Sequence, residues 1–350
     1  MASPPAPLTP DQKAFFLAHG YLKLTNCFTR AQAADVIDGV WTRLGMSPTD
    51  KRTWTKERTN MPSHRAFDCA AFAPKAWAAI CELCGGEDRV SAEPSRTWRD
   101  SLIVNLGTAA GEGRPVPPQE LANWHVDGDF FVHYLDSPEQ ALLVIPLFTD
   151  VEPEGGGTML CPPAINRVAR QLYEHPEGVS PRMVPRAHAD FGRERNLEWY
   201  AAVARGCGGG GGAEKEGFVE ATGRVGDVYL LHPLMMHSAT HNARRAVRII
   251  TNPPVSLREP FCFDREEGEG EYSLVERKTM DAVGGGGGGG EGKGRKMLKG
   301  WRITRPRERL VPERVRVQEA MKREELRRLE EEERERERVA RKGEGHGILK

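Results

Sequence analysis

Trp124-His125-Val126-Asp127-Gly128 is the stretch on which the reading of this chain turns, and it is answered far downstream by His237. On extended backbone, side chains two positions apart point to the same face, so His125 and Asp127 can grip one ion. Two imidazoles and one carboxylate are the donor set that holds non-haem Fe(II) and leaves coordination positions open for substrates. The set closes only if the H-x-D pair lies on one strand and His237 is brought to it from another. A closed double-sheet barrel, a jelly roll, places two such strands at its mouth. His237 follows Gly226-Asp227-Val228-Tyr229-Leu230-Leu231-His232-Pro233, a strand running into a turn, as this arrangement requires.

Working outward, the segments Leu102 to Leu106, Ala141 to Phe148, Asp227 to Leu231 and Val247 to Thr251 are short, apolar and bounded by Gly, Pro or Asp. Such runs predict the strands of a β-core. Gly155-Gly156-Gly157 predicts a turn before a strand over Thr158 to Cys161, and the spacing of Ile165, Val168, Ala169 and Leu172 predicts a helix from Pro163 to His175. Between residues 8 and 92 the pattern is helical: Thr9 caps a segment carrying Phe15, Phe16 and His19, and Thr29 to Leu44 repeats the arrangement. The expected class is therefore α+β, mainly β, with N-terminal helices before the core and a charged helix after it.

A chain of 350 residues has room for a single core of about 250 residues plus tails or insertions. Hydrophobic content of 39% is low for a compact domain, which implies that part of the chain stays unpacked. Two glycine tracts, Gly208 to Gly212 and Gly284 to Gly290, read as flexible insertions. The expected organisation is a helical part over 1–98 packed on the core, and a β-core over 99–265 with a Gly-rich insertion at 206–216. An extension over 266–312 follows, with its poly-Gly insertion at 284–294, and then a charged helical tail over 313–350. In the run from Glu313 to Lys342, Glu and Arg alternate at spacings that let opposite charges pair, so a solvated, largely isolated helix is expected.

Lys+Arg and Asp+Glu balance at 50 each, and the mixed signs of Glu330 to Arg338 cancel any phosphate-attracting field. Neither nucleic acid nor membrane is expected as a partner; a small molecule is, together with a helix-mediated contact through 313–342. The seven cysteines are odd in number and scattered, which argues against a disulfide framework. With no apolar run of transmembrane length and no signal-peptide pattern, a soluble cytoplasmic protein is expected. Cys81-Glu82-Leu83-Cys84 lacks the second ligand pair of a zinc site and is read as a pair of structural thiols.

Four blocks in order, Trp124 to Gly128, Glu154-Gly155-Gly156-Gly157-Thr158, Gly226-Asp227-Val228 through His237-Ser238, and Asn242 to Arg248, resemble the phytanoyl-CoA dioxygenase-like branch of the Fe(II)/2-oxoglutarate oxygenases. The similarity spans roughly residues 8–320, and its diagnostic part lies between about 100 and 255. The resemblance implies a double-stranded β-helix, the cupin-like jelly roll, holding Fe(II) through His125, Asp127 and His237. It further implies 2-oxoglutarate and O2 as co-substrates, and a dioxygenase that hydroxylates a small organic substrate with release of succinate and CO2. In such enzymes an Arg on the strand after the distal His receives the far carboxylate of 2-oxoglutarate. Arg248, eleven positions after His237, takes that place.

A planar guanidinium matches a planar carboxylate and stays charged, which is the physical reason for an Arg there. Arg248 also stands inside the apolar run Val247-Arg248-Ile249-Ile250, where a charge needs an anionic partner. Arg244 and Arg245 compete for the role, and an internal ion pair of Arg248 with Asp or Glu is the structural alternative. Asn105 is a second co-substrate candidate, equally readable as a structural bond to backbone. Trp124 walls the pocket or belongs to the core; His133 and His232 read as supporting or core residues, and Asp129 as a supporting carboxylate. Two departures from the family stand out: Cys161-Pro162-Pro163-Ala164 replaces its Pro-Gly-Ser-His, and Ile250 stands where some relatives carry Ser. The competing functional class is a non-catalytic double-stranded β-helix that binds a ligand in the same pocket and uses the charged helix as an interaction arm.

Overall fold

The computed structural model describes residues 8–193, 196–207, 217–266, 268–287, 289–312 and 314–345. Its strands are β1 Tyr21–Leu24, β2 Arg58–Asn60, β3 Ala66–Asp68, β4 Thr97–Arg99, β5 Ile103–Asn105, β6 Leu142–Pro146, β7 Thr158–Cys161, β8 Val219–Ala221, β9 Val228–Leu231, β10 Met236–Ala239, β11 Arg248–Ile250 and β12 Pro254–Val255. Every ladder is antiparallel, in sheets of order β1-β9-β6-β12, β10-β7-β8, β11-β5-β2 and β3-β4. Single bridges stitch the sheets together at Leu147 with Ile250, Gly155 with Asn242, and His125 with His237. β6, β7 and β9 are buried along their whole length, which is why their sequences are continuous apolar runs.

The helix Pro10–His19 starts on a capping box in which the Thr9 hydroxyl accepts from the Gln12 N–H and the Gln12 amide answers the Thr9 N–H. The helix Ala164–Glu174 buries Ile165, Val168, Ala169 and Leu172, the stripe its spacing predicts. The helical expectation for residues 8–92 needs correction. Tyr21–Leu24 alternates half-buried and buried positions and forms the edge of the largest sheet against β9, while Arg58–Asn60 edges the sheet that carries Arg248. Pairing with strands far along the chain fixes these segments, overriding their local helical setting.

The second glycine tract differs from its reading as a flexible insertion. Gly284 ends the helix Leu274–Gly284 and Gly290 begins the helix Gly290–Leu298, and a Cβ on Gly284 or Gly294 would run into the carbonyl of Gly290 or Met280. Glycine here permits backbone-to-backbone helix packing. The tract Gly208 to Gly212 lies outside the described residues.

The tail forms a single helix, Arg314–Gly345, but it is not isolated. Glu325 is buried against the helix Val40–Leu44, where it accepts from Arg43 Nε at 3.0 Å and meets His64 Nε2 at 2.8 Å, while Arg43 Nη1 holds Asp100 at 2.9 Å. A helix with no apolar face can still dock when a buried carboxylate finds a guanidinium and an imidazole. Among the described residues no helix is long and apolar enough to cross a membrane.

Candidate metal centre

His125 does not lie on a regular strand; the segment touches β10 at one point only. There the His125 N–H donates to the His237 carbonyl at 3.0 Å and the His237 N–H returns a bond to the His125 carbonyl at 2.9 Å. His237 is itself fixed by the β10–β7 ladder opposite Leu160. Immediately after Asp127 the chain turns at Gly128, with φ at 114°. A Cβ there would meet Phe131 Cζ at 2.7 Å and His133 Cε1 at 2.9 Å, so only glycine lets the ligand segment turn this tightly. His133 Nε2 lies 2.7 Å from the Gly128 carbonyl and its ring stacks on Phe131, which holds the turn in place.

These constraints bring the three side chains together. Donor atoms of His125, Asp127 and His237 all lie within 4.8 Å of one another, and among the described residues no other cluster of three such groups occurs. Asp127 Oδ1 stands 3.4 Å from His125 Nε2 and 3.6 Å from His237 Nε2. Neighbouring donors of one ion bound at about 2.1 Å are separated by about 3 Å, so the set fits a metal after a small contraction. The far ring nitrogens are spoken for: His125 Nδ1 faces the Asn123 carbonyl at 2.8 Å and His237 Nδ1 the Met235 carbonyl at 3.2 Å. Each Nδ1–H therefore donates to backbone and each Nε2 is turned inward towards Asp127, where loss of its proton would present the lone pair that a metal needs. Burial works to raise the Asp127 carboxyl, but the His237 charge and then bonds from both imidazoles hold it well below the usual carboxylate range. Burial opposes the charge on His237 and Asp127 outweighs it, leaving that imidazole raised.

Arg248 on β11 is 1% exposed. Its guanidinium donates to the carbonyls of Gly156 at 2.6 Å and Ile103 at 3.2 Å, and among the described residues no carboxylate pairs with it. Burial, then the nearby Arg58, pushes it down to about 9, against a weaker pull from Glu220. The internal ion pair is thus absent among the described residues, and the charge stands under-compensated. Asn105, its ladder partner, directs its amide to the carbonyls of Thr240 at 2.9 Å and Gly156 at 3.4 Å and accepts from the Gly107 N–H, so it ties β5 to the His237 strand. Arg244 Nε bonds the Pro153 carbonyl, and Arg245 lies over the Trp54 ring and reaches Lys51 and Glu112.

A cavity of about 340 Å³ opens on His125 and Asp127, lined also by Asp129, Arg182, Asn252 and Arg314. Arg248 and Asn105 do not line it. Asp129 pairs with Arg314 Nη2 at 2.7 Å, in keeping with a supporting carboxylate. Trp124 is core: its indole N–H donates to the Pro118 carbonyl and its ring packs on Phe218. His232 is core too, with Nε2 2.9 Å from the Thr279 hydroxyl. Cys81 and Cys84 are buried in the helix Pro74–Cys84, and burial pushes the Cys81 thiol up to about 12. Two residues that sequence reasoning passed over complete the surroundings. The buried Tyr200 donates to the Pro181 carbonyl at 3.1 Å and so braces the turn that presents Arg182.

No family model and no curated protein matches the chain. Solved structures similar to it include the hypothetical protein JW0805 of Escherichia coli, at 12% identity and TM-score 0.42 over 73% of this chain and 69% of that one. EctD from S. alaskensis with 2-oxoglutarate and 5-hydroxyectoine is similar at 17% identity and TM-score 0.39, over 78% and 86%. HygX from Streptomyces hygroscopicus with nickel, 2-oxoglutarate and hygromycin B is similar at 13% identity and TM-score 0.36, over 71% and 87%. Overlaps of this extent leave the reading of the centre to its own geometry.

Proposed function

We propose that the chain is a non-haem Fe(II)- and 2-oxoglutarate-dependent dioxygenase of the phytanoyl-CoA dioxygenase-like branch, built on a double-stranded β-helix, that hydroxylates a small organic substrate and releases succinate and CO2. The observation that carries this reading is the convergence of His125, Asp127 and His237 with both imidazoles turned by backbone carbonyls to present Nε2 inward. When bound, Fe(II) with 2-oxoglutarate and O2 supplies the oxidising chemistry. His125, Asp127 and His237 would hold the metal. Arg248 receives the far carboxylate of 2-oxoglutarate, and the carbonyl of Gly156 and the amide of Asn105 fix the site around it.

Anaerobic titration with Fe(II) and 2-oxoglutarate tests this. A metal-to-ligand charge-transfer band is expected in the unaltered protein and its loss or weakening in Arg248→Ala. Absence of the band in the unaltered protein overturns the cofactor assignment, while a band indifferent to the substitution removes Arg248 from the role.

A further inference from the structure

The metal cavity adjoins a second one of about 500 Å³, and both are lined by Asp129, Pro181, Arg182 and Arg314. A ligand that spans both cavities crosses this junction, so the charges there bear on what it carries. Asp127 belongs to the metal, and Asp129 is neutralised by Arg314 at 2.7 Å. Arg182 is different: it is half-buried, and among the described residues its guanidinium has no hydrogen bond or ion pair. A partly desolvated guanidinium without a partner is costly, and five fixed donors make it a receptor for a planar or tetrahedral anion.

Its placement is built. The Ser180 hydroxyl accepts from the N–H groups of Arg182 at 3.1 Å and Val184 at 3.3 Å, and the Met183 N–H closes on the Ser180 carbonyl at 2.8 Å. Met183 takes φ of 60°, a left-handed conformation that a non-glycine residue adopts at some cost. The same turn is braced from outside by the buried Tyr200, whose hydroxyl donates to the Pro181 carbonyl. The backbone that carries Arg182 is therefore held at a set position beside the cavities, and its guanidinium is left free to meet a ligand.

We propose that the substrate carries an anionic group, a carboxylate or a phosphate, that is received by Arg182 at the junction of the two cavities. The proposal rests on the function given above and specifies its substrate class. Arg314, delivered by the C-terminal helix, lines the same junction and adds a second cation once the anion competes for it with Asp129.

The test titrates acetate, inorganic phosphate and the neutral N-methylacetamide into anaerobic protein loaded with Fe(II) and 2-oxoglutarate, and into metal-free protein, by calorimetry. Acetate or phosphate is expected to bind and N-methylacetamide is not; the preferred anion tells carboxylate from phosphate. Arg182→Gln is expected to weaken that binding roughly ten- to hundredfold, and Arg182→Lys, which keeps the charge, to recover part of it. The charge-transfer band is expected to persist in Arg182→Gln. The proposal is overturned if neither anion binds, if Arg182→Gln binds them as tightly as the unaltered protein, or if that variant loses 2-oxoglutarate, which would assign Arg182 to the co-substrate. Loss of the band in unaltered protein while metal-free protein still binds the anion through Arg182 would instead defeat the dioxygenase reading alone.

Discussion

Arg248→Met separates a co-substrate anchor from a structural arginine by the sign of two free-energy changes. The substitution removes a charge that is 1% exposed and whose bonds, among the described residues, go to the carbonyls of Gly156 and Ile103. Two such bonds contribute about 1 kcal/mol each. Against that stands the cost of keeping a guanidinium dry without a counter-ion, which an apolar chain of similar length avoids. The Gly156 carbonyl also keeps the Asn105 amide. The two effects oppose, so urea unfolding without 2-oxoglutarate is expected to change by no more than about 1 kcal/mol; breaking a structural buried ion pair costs about 3–5. With Fe(II) bound anaerobically and 2-oxoglutarate at 100 times its Kd, the ligand stabilises the unaltered protein by about 2.7 kcal/mol. Losing a bidentate charged contact raises Kd about a hundredfold, and at the same concentration only about 0.4 kcal/mol remains. A variant destabilised by more than about 3 kcal/mol without ligand, or one that keeps the full ligand stabilisation, refutes the reasoning.

Gly128→Ala forces a Cβ onto Phe131 and His133 at φ of 114°, and is expected to weaken Fe(II) binding about tenfold or more, measured by chelator competition, because the turn orients Asp127. Glu325→Gln takes the shared carboxylate from Arg43 and His64, with Asp100 still paired to Arg43, and is expected to cost about 1–3 kcal/mol in urea unfolding, whereas Arg327→Ala, which breaks an exposed pair with Glu331, costs at most about 0.5. His232 is buried neutral, its imidazole pushed down to about 3 by burial and then by Lys278. The unfolded chain binds that proton first, so stability present at neutral pH is lost as pH falls below about 6.5, at up to about 1.4 kcal/mol per pH unit. His232→Gln flattens the acid limb of a stability-against-pH curve, and an unchanged limb counts against the assignment.

The strands legible in the sequence are those whose own composition carries the signal: β6, β7 and β9 are buried on both faces and read as apolar runs, and the helix Ala164–Glu174 reads by its stripe. β1 was hidden because its partner lies some two hundred residues away and four residues of alternation cannot outweigh the helix beside them. The meeting of His125, Asp127 and His237 was legible because the H-x-D spacing puts two donors on one face and the resemblance of the four ordered blocks supplies the third, although the segment reaches its geometry through one bridge and a glycine turn, without a regular strand. Arg248 was legible as a charge inside an apolar strand. Arg182 and Tyr200 were not: an arginine in a polar loop and a tyrosine on a helix carry no local mark of the cavity they border. Glu325 is one carboxylate among many in the tail, and what distinguishes it is the pocket formed by Arg43 and His64, far away in sequence.

That pocket gives the tail a mechanical role. The exposed pairs along it, such as Arg328 with Glu324 and Arg336 with Glu332, each contribute only about 0.3–0.5 kcal/mol, yet together they favour a preformed rod. A rod held beside the helix Val40–Leu44, by Glu325 on Arg43, by Arg328 Nη1 on the Arg43 carbonyl at 2.8 Å and by Glu332 on the Thr42 hydroxyl, carries its N-terminal end to a set place. Arg314 lies three turns before Glu325, about 16 Å along the axis at 1.5 Å per residue, and so the buried carboxylate beside Arg43 sets where Arg314 stands at the mouth. Glu325→Gln is then expected to lose the same share of acetate or phosphate binding as Arg314→Gln, and the double variant to lose no more than either single one, since both remove one contribution. Losses that simply add would mean that Arg314 finds its place from Asp129 alone, and that the tail is held against the core for stability without bearing on the mouth.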